Sequence, residues 1–163
     1  MAKGDMFLSL DTAKAGLIKG EADDTVHGGE IEISGWSWGM QYPEELRSGG
    51  RTGRASLRAL CVSKATDSAS TGLMATMYTN DRIKKAVLSV RKSSGAKAID
   101  YFVITLKDAF ITRFEIEYSD APVPGMVERI ELRFAAIDVT YAPQSDKGQK
   151  AGSTSWNAEI ANV

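Results

Sequence analysis

Apolar residues recur at every second position through much of this chain. That period matches the alternating faces of a β-strand and not the 3.6-residue period of a helix. In Glu30-Ile31-Glu32-Ile33 both isoleucines share one face and both glutamates the other. The phase then changes. After Ser34-Gly35 the large residues are Trp36, Trp38 and Met40, and later Ile130, Leu132 and Phe134 give way to Ile137, Val139 and Tyr141. In a flat strand each slip would throw the later side chains onto the opposite face. A bulge or bend, the first placed at Gly35, reconciles the runs. Two long strands that each bend suit a curling sheet or barrel, so the expected fold class is mainly β.

Further strands are expected at Phe7–Leu10, Ala55–Val62, Ala86–Arg91, Ile99–Leu106, Phe110–Tyr118 and around Thr154–Ile160. Ser93-Ser94-Gly95 and Lys107-Asp108 are read as connections between antiparallel neighbours. Asp11–Gly29 reads as a polar loop and Pro122-Val123-Pro124-Gly125 as a turn. One segment breaks the pattern: Leu73, Met74 and Met77 fall at helical spacing between Ser70 and Tyr78, with Ser70 or Asp67 as N-cap and Asn80 as the stop. That short helix should turn Leu73 and Met77 toward the sheet and leave Thr71, Met74 or Thr79 outward. The length of 163 residues suits one domain spanning 1–163.

The chemistry-bearing residues are few. The single histidine, His27, cannot supply a histidine-rich zinc site, and beside Gly28-Gly29 it reads as a turn residue. The single cysteine, Cys61, cannot form an internal disulfide and reads as a small core residue. Glu115 and Glu117 share a strand face, a spacing that permits acid–base work, but solvent-facing charge explains them more economically. Asp23-Asp24 is the other visible acidic cluster, and an unusual enzyme would have to depend on a single carboxylate such as Glu115 or Asp138. No nucleophile-elbow motif is present, and Gly49-Gly50-Arg51-Thr52-Gly53 lacks the Gly-Lys-Ser/Thr ending of a phosphate loop. Neither catalysis, a cofactor nor a metal is expected. Twenty basic against 21 acidic residues leave a net charge of −1, which disfavours nucleic acid despite Arg47, Arg51, Arg54 and Arg58. No apolar run is long enough to span a bilayer, and the start lacks the pattern of a secretory signal. Synthesis and first residence in the cytoplasm follow, with any export taking another route.

The run Gly29-Glu30-Ile31-Glu32-Ile33-Ser34-Gly35-Trp36-Ser37-Trp38-Gly39-Met40 resembles the central signature of the haemolysin-coregulated protein (Hcp) family, the tube component of type VI secretion. Met6-Phe7-Leu8, Ile18-Lys19-Gly20-Glu21, Gly53-Arg54-Ala55-Ser56, Leu88-Ser89-Val90-Arg91-Lys92, Ile104-Thr105-Leu106-Lys107-Asp108 and Glu128–Phe134 leading into Val139-Thr140-Tyr141 keep the family's order. Ser70-Thr71-Gly72 departs from it, standing where many relatives begin the helix with Ser-Pro.

The resemblance implies a curved antiparallel β-barrel of two sheets with one short α-helix packed at its side. It also implies a homo-hexameric ring, stacked rings, and expulsion behind a valine-glycine-repeat spike by a contracting sheath, with small effectors in the lumen. Such a protein would end in the extracellular space or a target cell. A tube subunit of another contractile, phage-tail-like particle is the near alternative. A small-ligand or glycan-binding β-barrel that stacks its ligand on Trp36 and Trp38 is the distant one. The long polar segment between Tyr42 and Gly53 is the candidate contact between subunits or rings, with Tyr42, Glu44, Glu45, Leu46, Arg47 and Arg51 as its contact residues. The pore-lining residues are not assigned.

Overall fold

The computed structural model describes residues 5–42, 54–92, 99–122, 124–143 and 152–160. The first elements are β1 (Met6–Thr12), β2 (Gly16–Leu17), β3 (Ile31–Glu32), β4 (Gly35–Ser37), β5 (Met40–Gln41), β6 (Ser56–Leu57) and β7 (Leu60–Ala65). They are followed by α1 (Ser70–Tyr78), β8 (Ile83–Lys92), β9 (Ile99–Ser119), β10 (Gly125–Tyr141) and β11 (Thr154–Glu159). Nine strands form one antiparallel sheet in the order β2-β1-β8-β9-β10-β7-β4, with β3 also on β1 and β11 also on β10, while β5 and β6 form a separate ribbon.

The first phase slip is the place where this sheet curls back on itself. Ile31 pairs with Leu8 of β1, whereas Trp36 pairs with Val62 of β7, at the other side of the sheet. The change occurs between two neighbouring amides: Ile33 N–H donates to the Met6 carbonyl at 3.1 Å, and Ser34 N–H to the Ser63 carbonyl at 2.8 Å. Residues 31–37 therefore bridge the two flanks, and the apolar side chains change phase because the chain changes partner. The bend lies at Ile33-Ser34, not at Gly35. Gly35 has no left-handed backbone, and a Cβ there would meet nothing within 4 Å.

The second slip is wider than one strand. Lys107-Asp108 does not separate two strands; it lies inside the 21-residue β9, with Asp108 at φ 50°. Aspartate tolerates that left-handed conformation better than most residues, so the strand bends there and continues. Buried residues are three positions apart at this level in each of three neighbouring strands: Ile83 and Ala86, Leu106 and Ala109, Phe134 and Ile137. The register aligns them, Ile83 with Ala109 and Phe134, Ala86 with Leu106 and Ile137. The sheet is thus creased along one line across β8, β9 and β10. Residues from both sides of that line, among them Leu88 and Ile104 on one and Ile111, Ile130 and Leu132 on the other, belong to a single core.

α1 begins at Ser70 as expected, but its N-cap is Ala69 and no side chain caps it directly. Asp67 Oδ1 instead accepts the Ala69 N–H at 3.0 Å, and the Ser70 hydroxyl is engaged elsewhere. At the other end Asn80, at φ 54°, donates to the Met77 carbonyl and Asp81 N–H to the Thr76 carbonyl. This is the paired arrangement of a Schellman stop. Leu73 is fully buried and Met77 packs on the core, while Met74 is exposed.

Two glycines in the same region behave oppositely. A Cβ on Gly20 would lie 2.7 Å from the Ile31 Cα and 2.8 Å from the Glu30 carbonyl carbon, both backbone atoms that cannot swing aside. Gly20→Ala is expected to destabilise by about 1–3 kcal/mol, the range of overpacked sites. Gly35→Ala should stay within about 0.5 kcal/mol of wild type. Urea midpoints of the two variants check this, and equal values would refute the reading.

Candidate functional site

Of the six candidate contact residues, Tyr42 is described and is exposed; Glu44, Glu45, Leu46, Arg47 and Arg51 lie outside the described residues. Trp36 and Trp38 both pack against the core. Trp36 stacks on Phe102 with centroids 5.5 Å apart, and Trp38 leans on Trp156 while its indole N–H donates to the Arg58 carbonyl at 3.0 Å. Their rings are thus spent on internal partners, as core packing predicts.

Cys61 is not a core residue. It alternates with buried Leu60 and Val62, so its thiol lies on the outer face beside Ser37 and Glu131, its register partners. Burial and then the Glu131 carboxylate push that thiol up from its ordinary value. The Glu115–Glu117 pair is exposed and held by arginines, Arg113 to Glu115 at 2.7 Å and Arg129 to Glu117 at 3.3 Å. Asp138 Oδ1 accepts the Thr140 hydroxyl at 3.2 Å. Among the described residues, no group of three or more His, Cys, Asp and Glu side chains has metal-holding geometry.

Two ionic clusters went unread in the sequence. In the first, Lys64 and Glu128 are completely buried and face each other from β7 and β10 at 2.9 Å. Lys64 Nζ also meets Asp67 Oδ1 at 2.8 Å, and the Ser70 hydroxyl donates to Glu128 Oε2 at 2.6 Å. Burial disfavours the Glu128 charge, but the hydrogen bonds from Ser70 and Lys64 outweigh it and hold this carboxyl below its usual range. The cluster fastens the helix start to the sheet.

The second cluster sits where residues 20–30 cross the end of β1, β8 and β9. His27 is buried, its ring stacked on Phe7 with centroids 4.6 Å apart. Its Nδ1 contacts Glu30 Oε2, and its Nε2 lies 2.9 Å from Asp100 Oδ2. Asp24 accepts the N–H groups of Val26 at 2.9 Å and His27 at 3.0 Å, and pairs with Arg91 at 2.7 Å. Those two backbone donors, aided by Arg91, hold the Asp24 carboxyl far below the usual carboxylate range. Burial disfavours charge on His27, but the Asp100 and Glu30 carboxylates outweigh it and raise the imidazole above its ordinary value.

Among the described residues, sheet margins without a strand partner include two on the longer strands, although β9 also packs against α1. β8 reaches only as far along β9 as the Ile83–Ala109 pair, so among the described residues the 110–119 half of β9 has a strand neighbour, β10, on one side alone. Among the described residues β11 likewise pairs with β10 alone.

These features define a creased antiparallel barrel whose polar clusters tie its own elements together and whose sheet has margins without a strand partner among the described residues. The chain belongs to the Hcp family of type VI secretion: the family model described as "Type VI secretion system effector, Hcp" matches residues 7–141. It is 31% identical over 158 residues to protein hcp1 of Pseudomonas aeruginosa, covering 94% of each chain. A second relative in that organism, the major exported protein, is 23% identical over 170 residues, covering 95% of this chain and 96% of the relative. Among solved structures, a type VI secretion system effector from Yersinia pestis superposes with a TM-score of 0.73 at 26% identity, covering 96% of this chain and 100% of that one.

Proposed function

We propose that this chain is the structural subunit of a type VI secretion inner tube. Six copies of one domain spanning residues 1–163 close into a ring, and rings stack into a conduit. Family membership supports the secretion role, and the margins of β9 and β11 that lack a strand partner among the described residues are the observation that carries the assembly reading. An unpaired strand edge is a template for another chain, and edges on different strands suit a heterologous contact that closes by rotation. Contacts of this kind typically bury about 800 Å² per partner. The tube is driven out by a contracting sheath behind a valine-glycine-repeat spike, carries small effectors in its lumen, and performs no bond chemistry. The subunit is made in the cytoplasm and delivered outside or into a target cell.

Light scattering after size exclusion, together with negative-stain imaging, tests this. Closed six-fold rings are expected, and a strict monomer at every concentration would overturn the reading. We assign Tyr42, Glu44, Glu45, Leu46, Arg47 and Arg51 to contacts between subunits or rings. Deleting Arg47–Gly50 should weaken assembly at least tenfold, roughly 1.4 kcal/mol, and leave the circular dichroism of the subunit unchanged. Ring stability equal to wild type would remove that assignment.

A further inference from the structure

We infer that His27 is a proton-dependent clip: with a carboxylate on each ring nitrogen, it pins residues 20–30 across the end of the sheet only while both nitrogens carry protons. A neutral imidazole has one N–H donor and one bare lone pair, and the lone pair would face a carboxylate oxygen. Glu30 at Nδ1 and Asp100 at Nε2 therefore require the doubly protonated ring.

The two carboxylates belong to different elements. Glu30 lies on the crossing segment itself, and Asp100 lies near the start of β9. The imidazolium is thus the bolt between them, and Phe7 of β1 is the flat surface on which it rests. The remaining charged groups sharpen the effect. Asp24 comes from the same segment, Arg91 from β8, and Asp5 from just before β1, with its Oδ1 3.9 Å from Arg91 Nε. Lys92 is turned away over Tyr101, 5.0 Å from the ring centroid. When His27 is neutral, four carboxylates, Asp5, Asp24, Glu30 and Asp100, remain in this cluster, and Arg91 pairs with Asp24 and lies near Asp5. Deprotonation both removes the bolt and leaves like charges on the two parts it joined.

The raised imidazole fixes the direction. Stability from the clip is complete below the ordinary histidine value and is lost as pH rises through the higher folded value. Asp24 keeps its anchor on the Val26 and His27 amides and its pairing with Arg91 of β8 throughout that range, so the segment should loosen at the Asp100 contact while its local turn and the Arg91 contact persist.

Because the chain has one histidine, labelling histidine with ¹³C and ¹⁵N in the full chain reports this ring without ambiguity. The ring should titrate above a histidine in an unfolded peptide, and below that titration both ring nitrogens should carry protons. Asp100→Asn and Glu30→Gln should each lower that titration. Hydrogen exchange of residues 20–30, corrected for the intrinsic effect of pH, should accelerate at least tenfold above the titration while the segment around Leu88 stays protected. His27→Gln should show the fast exchange at every pH. A ring that titrates at or below the unfolded-peptide value, a titration indifferent to Asp100→Asn, or corrected exchange that does not change with pH in wild type would each overturn the clip.

Discussion

Glu128→Ala is expected to destabilise the subunit by about 3–5 kcal/mol, because it strands a buried ammonium in a site closed to water. Lys64 has no solvent exposure, and its Nζ is positioned between Glu128, Asp67 and the Ser70 hydroxyl. Asp67 remains as a partner in the variant, but the Ser70 hydroxyl loses its acceptor at Glu128 as well. The double change Lys64→Met with Glu128→Leu removes both charges and should recover most of the loss, since apolar replacements of buried pairs are often neutral or stabilising. Chemical unfolding of the wild type, Lys64→Met, Glu128→Leu and the double variant forms a complete cycle, with Glu128→Ala measured beside it. A Glu128→Ala cost below about 1 kcal/mol, the value of an exposed pair, would sink the argument. The sign with pH also follows. The Glu128 carboxyl is held below its usual range, so its stabilisation is present above the unfolded carboxylate value and is lost as pH falls through the folded one. The double variant should lack that part of the acid sensitivity.

Asn157→Pro should abolish ring formation and leave the subunit folded. In an antiparallel pair, backbone groups alternate between the partner strand and the far side. Ile160 N–H donates to the Ala135 carbonyl, and the register runs Ala136 with Glu159 and Ile137 with Ala158. The N–H groups of Trp156 and Ala158 therefore face β10, and those of Ser155, Asn157 and Glu159 face the open margin. Proline at 157 removes an outward donor and no bond to β10, the one setting in which a strand tolerates it. Under the tube reading, the assembled fraction should fall at least tenfold, with unchanged far-ultraviolet circular dichroism. Asn157→Ala, which keeps the N–H, should assemble. Normal rings from Asn157→Pro would show that the β11 edge is not a subunit contact.

Much of this architecture can be read from alternation alone. The helix bounds follow from Leu73 and Met77 breaking a period of two, and both phase slips mark real changes of direction. The misreadings are equally physical. Lys107-Asp108 has the composition of a turn, but the chain uses the conformational tolerance of aspartate to continue one strand through the crease. Gly35 attracts attention as a glycine, while the bend next to it is produced by a change of hydrogen-bonding partner. Lys64 and Glu128 did carry a signal: Lys64 continues the phase of Leu60 and Val62, and Glu128 that of Ile130 and Leu132. Cys61, out of that phase, could have been placed outside for the same reason. His27 carried less, because its decisive partner, Asp100, is 73 residues away and only the folded sheet brings them together. The proposed contact residues were least legible, since under the tube reading they depend on a second copy.

The crease also sets how such a chain can change its length. Removing one residue from β9 alone at this line would restore plain alternation there while β8 and β10 still stepped by three, so half of one strand would present its polar side to the core. The same removal made in all three strands would keep them in step and flatten the sheet. Insertions and deletions here are therefore heritable only as a set, and three segments far apart in the chain should drift in length together or not at all.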